Sequence, residues 1–141
     1  PQAALVFSEV SGLIQNESEE DGYFSIEEVA LINLNARIVM LSACETGLGN
    51  IRKRGDGMSG LARAFMVAGT QNVGVSLWEI SDEATVEFMW SVYRKVIREG
   101  MSFRDAYRKT KEEFRKGIIV SRDQQTDWSH PFYWAAFTLY E

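Results

Sequence analysis

The sequence is poor in the residues that build disulfide frameworks and metal sites. Its 141 residues include one cysteine and one histidine. A lone cysteine excludes an internal disulfide, and one cysteine with one histidine and no clustered carboxylates falls short of an ordinary zinc site. We therefore expect no bound metal, and we expect a reducing, cytoplasmic environment for the protein.

Positive charge and long apolar runs are also scarce. The chain has 15 Lys and Arg against 20 Asp and Glu, a formal net charge of −5. This acidic balance argues against a sequence-independent nucleic-acid binder, which needs a basic face. No apolar run approaches the roughly 20 residues of a membrane span, and no signal-peptide pattern opens the chain. We expect a soluble protein without direct nucleic-acid or membrane partners.

What is present is the composition of a single globular domain, with 45% hydrophobic, 25% charged and 12% aromatic residues. A chain of this length buries enough surface for a real core. It begins Pro1-Gln2-Ala3, without an initiator Met, and enters a strand-like apolar run almost at once. Natural termini usually begin with a few polar residues, so this start predicts a fragment of a longer polypeptide.

Strand-like and helix-like segments alternate along the chain. Continuous apolar or β-branched runs predict four strands, at residues 4–8, 37–41, 72–77 and 134–140. Helical patterns separate most of them, which indicates βαβ crossovers. The predicted fold is α/β, with a mostly parallel sheet and helices on both of its faces.

Capping signals mark the ends of the helices. Ser25 and Glu28 have the capping-box spacing, which predicts a helix to about Leu31. Ser81 or Asp82 is expected to cap a helix that ends at Gly100, and Ser102 to cap the next. The expected buried face of the first of these two helices is Val86, Met89, Tyr93, Val96 and Ile97. That of the second is Phe103, Ala106, Tyr107, Thr110 and Phe114.

Cys44 follows one of the predicted central strands and is the candidate nucleophile. Function gathers at the carboxyl ends of the strands in open parallel sheets. The small neighbours Ser42, Ala43 and Gly47 would leave the thiol accessible. The backbone amide of Cys44 is a candidate oxyanion donor. The alternative is a buried core cysteine, the commonest fate of a lone thiol.

Glu79 and Asp82 follow the neighbouring strand and are candidates for substrate binding. Two carboxylates there would form an anionic wall that selects a basic side chain. The alternative for Asp82 is a helix N-cap, which its position suits.

The remaining candidates have stronger structural alternatives. Residues 52–57 (RKRGDG) are basic and glycine-rich, but they lack a Walker ending, which favours a flexible loop over a phosphate cradle. His130 is the only imidazole available as a base, although a structural hydrogen bond or a surface position is favoured. Several aromatic side chains are candidates for a ligand groove, with the core as the default: Trp78, Trp90, Trp128, Phe132, Tyr133 and Trp134.

Four segments together resemble the CHAT domain, a family of caspase-like cysteine peptidases related to separases. They are residues 38–47 (IVMLSACETG), 57–65 (GMSGLARAF) with Ala68-Gly69, 75–78 (VSLW) with 82–85 (DEAT), and 130–137 (HPFYWAAF). The resemblance implies the three-layer caspase–haemoglobinase fold and a Cys–His dyad with Cys44 as nucleophile. By the likeness to separases, it also implies that Glu79 or Asp82 favours Lys or Arg at P1. It implies no cofactor.

The sequence departs from the family pattern at the base. In the family, a His-Gly pair upstream of the nucleophile supplies the base and a second oxyanion amide, whereas no histidine precedes Cys44 in this sequence. We therefore expect residues 1–141 to be a CHAT domain lacking its N-terminal strands and catalytic His, and to be inactive alone. The resemblance also implies an upstream segment with tetratricopeptide repeats, a protein or peptide substrate, and a regulatory protein.

Two other functions stay open. A non-catalytic module would use the same fold for protein interaction, and replacing Cys44 with alanine would leave it unaffected. A nucleotide-binding α/β domain would gain thermal stability from added ATP or GTP.

Overall fold

The computed structural model describes residues 4–6, 23–41 and 60–141. We number the elements in chain order: β1 (Ala4–Val6), β2 (Tyr23–Ser25), α1 (Ile26–Leu31), β3 (Val39–Leu41), α2 (the helical residues 60–67), β4 (Val73–Ser76), α3 (Asp82–Glu99), α4 (Phe103–Arg115), α5 (Pro131–Trp134) and β5 (Phe137–Tyr140). Residues 15–22 (QNESEEDG), an acidic stretch that the sequence predicts to be a loop, lie outside the described residues.

The described strands form two sheets. β1 and β2 pair antiparallel, and β3, β4 and β5 form a three-stranded sheet with β4 in the middle. β3 runs parallel to β4, whereas β5 runs antiparallel to it. The α/β class is confirmed, but the expectation of a mostly parallel sheet is wrong for the described strands, because one of the two pairings in the larger sheet is antiparallel.

The reversed direction of β5 follows from the helices that precede it. A single crossover helix returns the chain to the starting end of a strand, as α2 does between β3 and β4. α3 and α4 instead form a hairpin joined by the three residues 100–102. A helical hairpin brings the chain back to the end at which β4 finished, so the next strand runs the opposite way.

Helices cover both faces of the three-stranded sheet. Alternation along β4 directs Val73 and Val75 to the face covered by α1 and α2, where they pack with Val29, Leu61 and Phe65. Residues on the opposite face pack against α3 and α4. They are Met40, Phe137 and Leu139 from the strands, with Phe88, Val92, Tyr107 and Phe114 from the helices. The sheet is therefore the middle of three layers.

Gly74 allows α4 to approach the second of these faces closely. A Cβ at this position would overlap the sulfur of Met40 and the hydroxyl of Tyr107. That hydroxyl lies 3.8 Å from the Met40 sulfur. Burial raises the pKa of Tyr107 well above its ordinary value, so the phenol stays neutral in the core.

The local signals for α1 and α4 are confirmed. Ser25 accepts a hydrogen bond from the Glu28 amide, and the Glu28 carboxylate accepts one from the Ser25 amide, which completes the capping box. Ser102 caps α4 by accepting from the Asp105 amide. All five predicted core positions of α4 are buried. The start and the buried face of α4 could be predicted because its cap and its apolar period lie within one continuous segment.

The buried face of α3 differs from the predicted one. Ala84, Phe88, Val92, Lys95 and Val96 are among its buried residues, whereas Val86 and Ile97 are exposed. α3 carries apolar residues on two sides, and periodicity cannot say which side meets the sheet. Packing against Tyr107 and Phe137 selects the side that carries Phe88.

The final strand is shorter than the sequence predicts. The pattern favours a strand over 134–140, but residues Pro131–Trp134 form α5 and the strand begins at Phe137. Pro131 has the fixed φ that favours the first turn of a helix, and His130 caps that turn. These two residues start a helical turn that the apolar run alone does not reveal.

Candidate functional site

β3 and β4 end at the same edge of the sheet. They are parallel and in register, with Leu41 opposite Val75. Carboxyl ends of parallel strands are where α/β folds place their ligands. Cys44 and the basic segment 52–57 lie outside the described residues, so the described part of the site is the part that follows β4.

The chain that leaves β4 is fixed by the segment around α5. The Leu77 amide donates to the Ala136 carbonyl at 2.9 Å. The indole Nε1 of Trp78 donates to the Phe132 carbonyl, also at 2.9 Å. The Trp78 and Phe132 rings lie 6.4 Å apart. Two hydrogen bonds and a ring contact thus tie the strand end to residues more than fifty positions later.

Glu79 follows this anchored pair and is exposed. Its carboxylate forms no hydrogen bond or ion pair with another described residue. An exposed, unpaired carboxylate on a fixed strand end keeps its charge available to an incoming cation. Glu79 is therefore accessible from solvent at the end of β4.

Asp82 is the first residue of α3, and the N-cap is Ser81. The Ser81 hydroxyl accepts a hydrogen bond from the Ala84 amide at 3.4 Å. The interpretation of Asp82 as the cap is therefore wrong, because Ser81 is the last residue with non-helical dihedral angles before the helix begins. Asp82 is exposed in the first turn of α3, where its negative charge interacts favourably with the positive end of the helix dipole.

His130 has a structural role, as the sequence favoured. It is the N-cap of α5, and its Nδ1 accepts a hydrogen bond from the Phe132 amide at 3.2 Å. A neutral imidazole has one nitrogen lone pair to offer, and this contact uses it. His130 lies within the segment that anchors Trp78.

The turn before α5 is held by Asp127 and Ser129. Both the amide and the hydroxyl of Ser129 donate to the Asp127 carboxylate, at 2.9 and 2.6 Å. These hydrogen bonds, the hydroxyl first, lower the pKa of Asp127 below its ordinary value. The Ser129 carbonyl accepts from the indole of Trp134 at 2.9 Å. The segment 127–134 is thus a rigid support for the strand end.

The candidate aromatic side chains separate into three groups. Trp128 is buried and stacks on Phe114, which makes it a core residue, and the partly buried Tyr133 and Trp134 pack against the same core. Trp90 is exposed in the middle of α3 and is not among the described residues that contact the end of β4. Trp78 and Phe132 remain beside the candidate site, where the Phe132 ring is exposed. They frame the strand end but form no closed ligand groove among the described residues.

The anchoring role of Trp78 is the feature that the residue pattern misses. Its partner Phe132 is 54 residues away, and nothing in periodicity or capping links the two. The available signal is that both residues lie in segments of the same family resemblance. Residues of one family pattern that are distant in sequence often meet in the fold.

The described residues offer neither a metal site nor a membrane span. Among them, no group of His, Cys, Asp or Glu has an arrangement that could hold a metal ion. None of the described helices combines the length and the apolar character needed to cross a membrane.

Comparison with known proteins supports the family resemblance of the four sequence segments. The profile of the CHAT domain matches residues 2–141. Tetratricopeptide repeat protein 28 of Mus musculus is 30% identical over 108 residues, which cover 77% of this chain and 4% of that protein. The chain therefore spans a small part of the length of this curated relative. The profile match extends over almost all of the sequence, and the chain belongs to the CHAT domain family.

Proposed function

We propose that the chain is the nucleophile-bearing part of a caspase-like cysteine endopeptidase with the three-layer caspase–haemoglobinase fold. Cys44 is the nucleophile, and its backbone amide is one oxyanion donor. Glu79, with Asp82 nearby in sequence, attracts a Lys or Arg side chain at P1. The reaction needs no metal or cofactor.

The observation that carries this proposal is the parallel register of β3 and β4. The chain leaves β3 three residues before Cys44 and leaves β4 three residues before Glu79, at one edge of the sheet. A nucleophile and a specificity carboxylate on neighbouring strand ends suit an extended peptide lying across that edge. The unpaired state of Glu79 among the described residues supports the role.

The proposed chemistry is acyl transfer through a thioester. The Cys44 thiolate attacks the scissile carbonyl carbon, and a carbon–sulfur bond forms as the carbonyl oxygen takes the negative charge. When the carbon–nitrogen bond breaks, the protonated base gives its proton to the leaving amine. Water then attacks the thioester, the base accepts the proton of that water, and the thiolate leaves.

The base is expected from another part of the polypeptide. His130 is the only histidine of the chain, and its Nδ1 lone pair is engaged by the Phe132 amide. A general base must offer that lone pair to the thiol. The family pattern has its His-Gly pair before the nucleophile, so we place the base upstream of residue 1 in the parent polypeptide.

The test uses a longer polypeptide that includes the expected His-Gly pair. Hydrolysis of fluorogenic peptides with Arg or Lys at P1 is measured for this protein, its Cys44→Ala variant and the 141-residue chain. We expect cleavage only by the longer unmodified protein. Equal cleavage by the short chain would make His130 the base. Cleavage that survives Cys44→Ala would exclude Cys44 as the nucleophile. The absence of cleavage from all three proteins would favour the non-catalytic interaction module.

Glu79→Gln is expected to lower kcat/KM for Arg-P1 peptides by about 10- to 100-fold, the value of a charged hydrogen bond. The alkylation rate of Cys44 by iodoacetamide is expected to stay unchanged, since Glu79 acts on the substrate and not on the thiol. Asp82→Asn is the matched variant and tells which carboxylate lines the P1 pocket. A larger effect of Asp82→Asn would exchange the two roles.

We propose that repeat units adjoin this domain in its parent polypeptide and control its activity. The support is the likeness to the mouse relative, whose name identifies it as a tetratricopeptide repeat protein. Repeat arrays present extended binding surfaces. A partner bound there would regulate access of a protein substrate to the strand ends.

A further inference from the structure

An apolar stripe lies on the exposed side of α3. We define the α3 stripe as Val86, Trp90, Tyr93 and Ile97, which follow one another at helical spacing. Val86 is 58%, Trp90 53% and Ile97 76% exposed, and Tyr93 is partly buried. Val86, Trp90 and Ile97 face away from the side that packs on the sheet through Phe88. Tyr93 lies at the edge of the stripe, where its ring also meets Phe103 at 6.4 Å and packs against that core. Four apolar side chains in one row on a helix surface are typical of an interaction surface.

Charged residues border the α3 stripe along one flank, and their order is not random. Glu83 and Glu87 lie in the N-terminal half of α3, and Arg94 and Arg98 lie in its C-terminal half. Helical spacing places all four on the same side of the stripe. One flank is thus acidic at one end and basic at the other.

Three of the four flanking charges have no ion-pair partner within the described part of the protein, and the fourth, Glu83, is only partly engaged. Glu87, Arg94 and Arg98 form no ion pair with a described residue. The Arg94 guanidinium lies over the Trp90 ring at 4.8 Å, and its Nε is buried without a hydrogen-bond partner. Glu83 accepts from the Arg122 amide, and the Arg122 guanidinium reaches it only at 4.0 Å.

We infer that the α3 stripe binds the same stripe of a second copy, with the two helices antiparallel. In an antiparallel pair related by a two-fold axis, each flank of a helix faces the same flank of its partner. The acidic half of one flank then meets the basic half of the other. In a parallel pair, this flank would instead face the other flank of the partner helix, which does not carry these four charges.

One register satisfies the apolar and the charged contacts together. When Val86 lies opposite the partner's Ile97, Trp90 lies opposite the partner's Tyr93. Glu87 then comes beside the partner's Arg94, and Glu83 comes beside the partner's Arg98. The two-fold axis repeats each contact, so two Glu87–Arg94 pairs form per dimer.

The expected dimer is weak and dissociates at low concentration. A single helix face gives an interface at the small end of the range for protein complexes, so self-association is expected in the micromolar range or above. Because exposed ion pairs are screened by salt, the dissociation constant is expected to rise with ionic strength.

The test is sedimentation equilibrium of the 141-residue chain from low micromolar to several hundred micromolar. Glu87→Arg or Arg94→Glu alone places like charges together twice, and each is expected to raise the dissociation constant at least about tenfold. The double exchange Glu87→Arg/Arg94→Glu restores the pairing and is expected to restore affinity to within about threefold. Arg115→Glu, an exposed reversal on α4, is the control and should change nothing.

Three outcomes would overturn the inference. The chain would stay monomeric at every concentration, or Trp90→Ser would leave a dimer intact, or the double exchange would bind as weakly as the single variants. The first outcome would leave the α3 stripe to another segment or partner. Far-UV circular dichroism confirms that each variant is folded, and the salt dependence of the unmodified dimer tests the charge pairing without any substitution.

Discussion

Phe88→Ala is expected to lower the free energy of unfolding by roughly 3–5 kcal/mol. The Phe88 side chain is 0% exposed. Its ring stacks on Phe137 with centroids 3.9 Å apart and meets Tyr107 edge to face at 5.1 Å. Phe114 is a further neighbour at 5.8 Å. Alanine would leave a cavity between α3, α4 and β5, because aromatic rings on three elements cannot all close in on the vacated space.

The measurement is urea unfolding followed by far-UV circular dichroism at low micromolar concentration. Trp90→Ala is the matched control, since it removes a larger ring from the exposed side of the same helix. We expect this control to stay within about 1 kcal/mol of the unmodified protein, including the loss of its contact with Arg94. Equal losses for the two variants would contradict the assignment of Phe88 to the core.

Breaking the buried ion pair between α3 and α4 is expected to have an effect of similar size. The Lys95 Nζ donates to the Glu113 carboxylate at 2.6 Å, and the two side chains are 1% and 18% exposed. Glu113→Leu leaves the Lys95 ammonium without a partner, at an expected loss of about 3–5 kcal/mol. Lys95→Met is expected to cost less, because Glu113 reaches solvent and the methionine fills the space of the lysine stem.

The double variant Lys95→Met/Glu113→Leu separates the cost of an unpaired charge from that of the pair itself. It is expected to recover most of the stability, since replacing both ions of a buried pair by apolar groups is often neutral or favourable. Lys109→Met is the control, because Lys109 pairs with Glu99 at 3.2 Å across the same two helices but on the surface. Its expected loss is below about 1 kcal/mol in urea unfolding. A double variant as unstable as Glu113→Leu would contradict this account.

Residues close in sequence explain the parts of the fold that could be predicted. The capping box at Ser25 and Glu28 and the Ser102 cap of α4 involve groups three positions apart. A glycine at the end of α3 adopts the expected left-handed conformation, with φ of 69° at Gly100. Such features depend on local backbone geometry, which the chain carries with it.

The errors share a different cause. The core side of α3 depends on which of two apolar sides meets the sheet, and the direction of β5 depends on the helical hairpin before it. Lys95 gives no sign in the sequence of being buried, because its partner Glu113 lies on the next helix. In each case the deciding contact joins segments that only the folded chain brings together.

The candidate site also has features that the sequence predicts and features that only the structure gives. Cys44 and Glu79, the residues that we propose for its chemistry, were selected from the sequence because each follows a predicted central strand and lies in a segment of the family resemblance. The register of β3 and β4, which brings the two strand ends to one edge, required the structure. So did the anchoring of Trp78 on the Phe132 carbonyl and the use of the His130 lone pair as a helix cap.

By itself, the sequence determined the α/β class, the family and the capped starts of α1 and α4. All of these depend on residue types in fixed local order, since caps, periodicity and motifs are short-range properties. Only the tertiary structure decided the strand directions, the side of α3 that faces solvent and the partners of the buried charge. These depend on contacts between segments distant in sequence, where packing chooses among alternatives that the local pattern leaves equal.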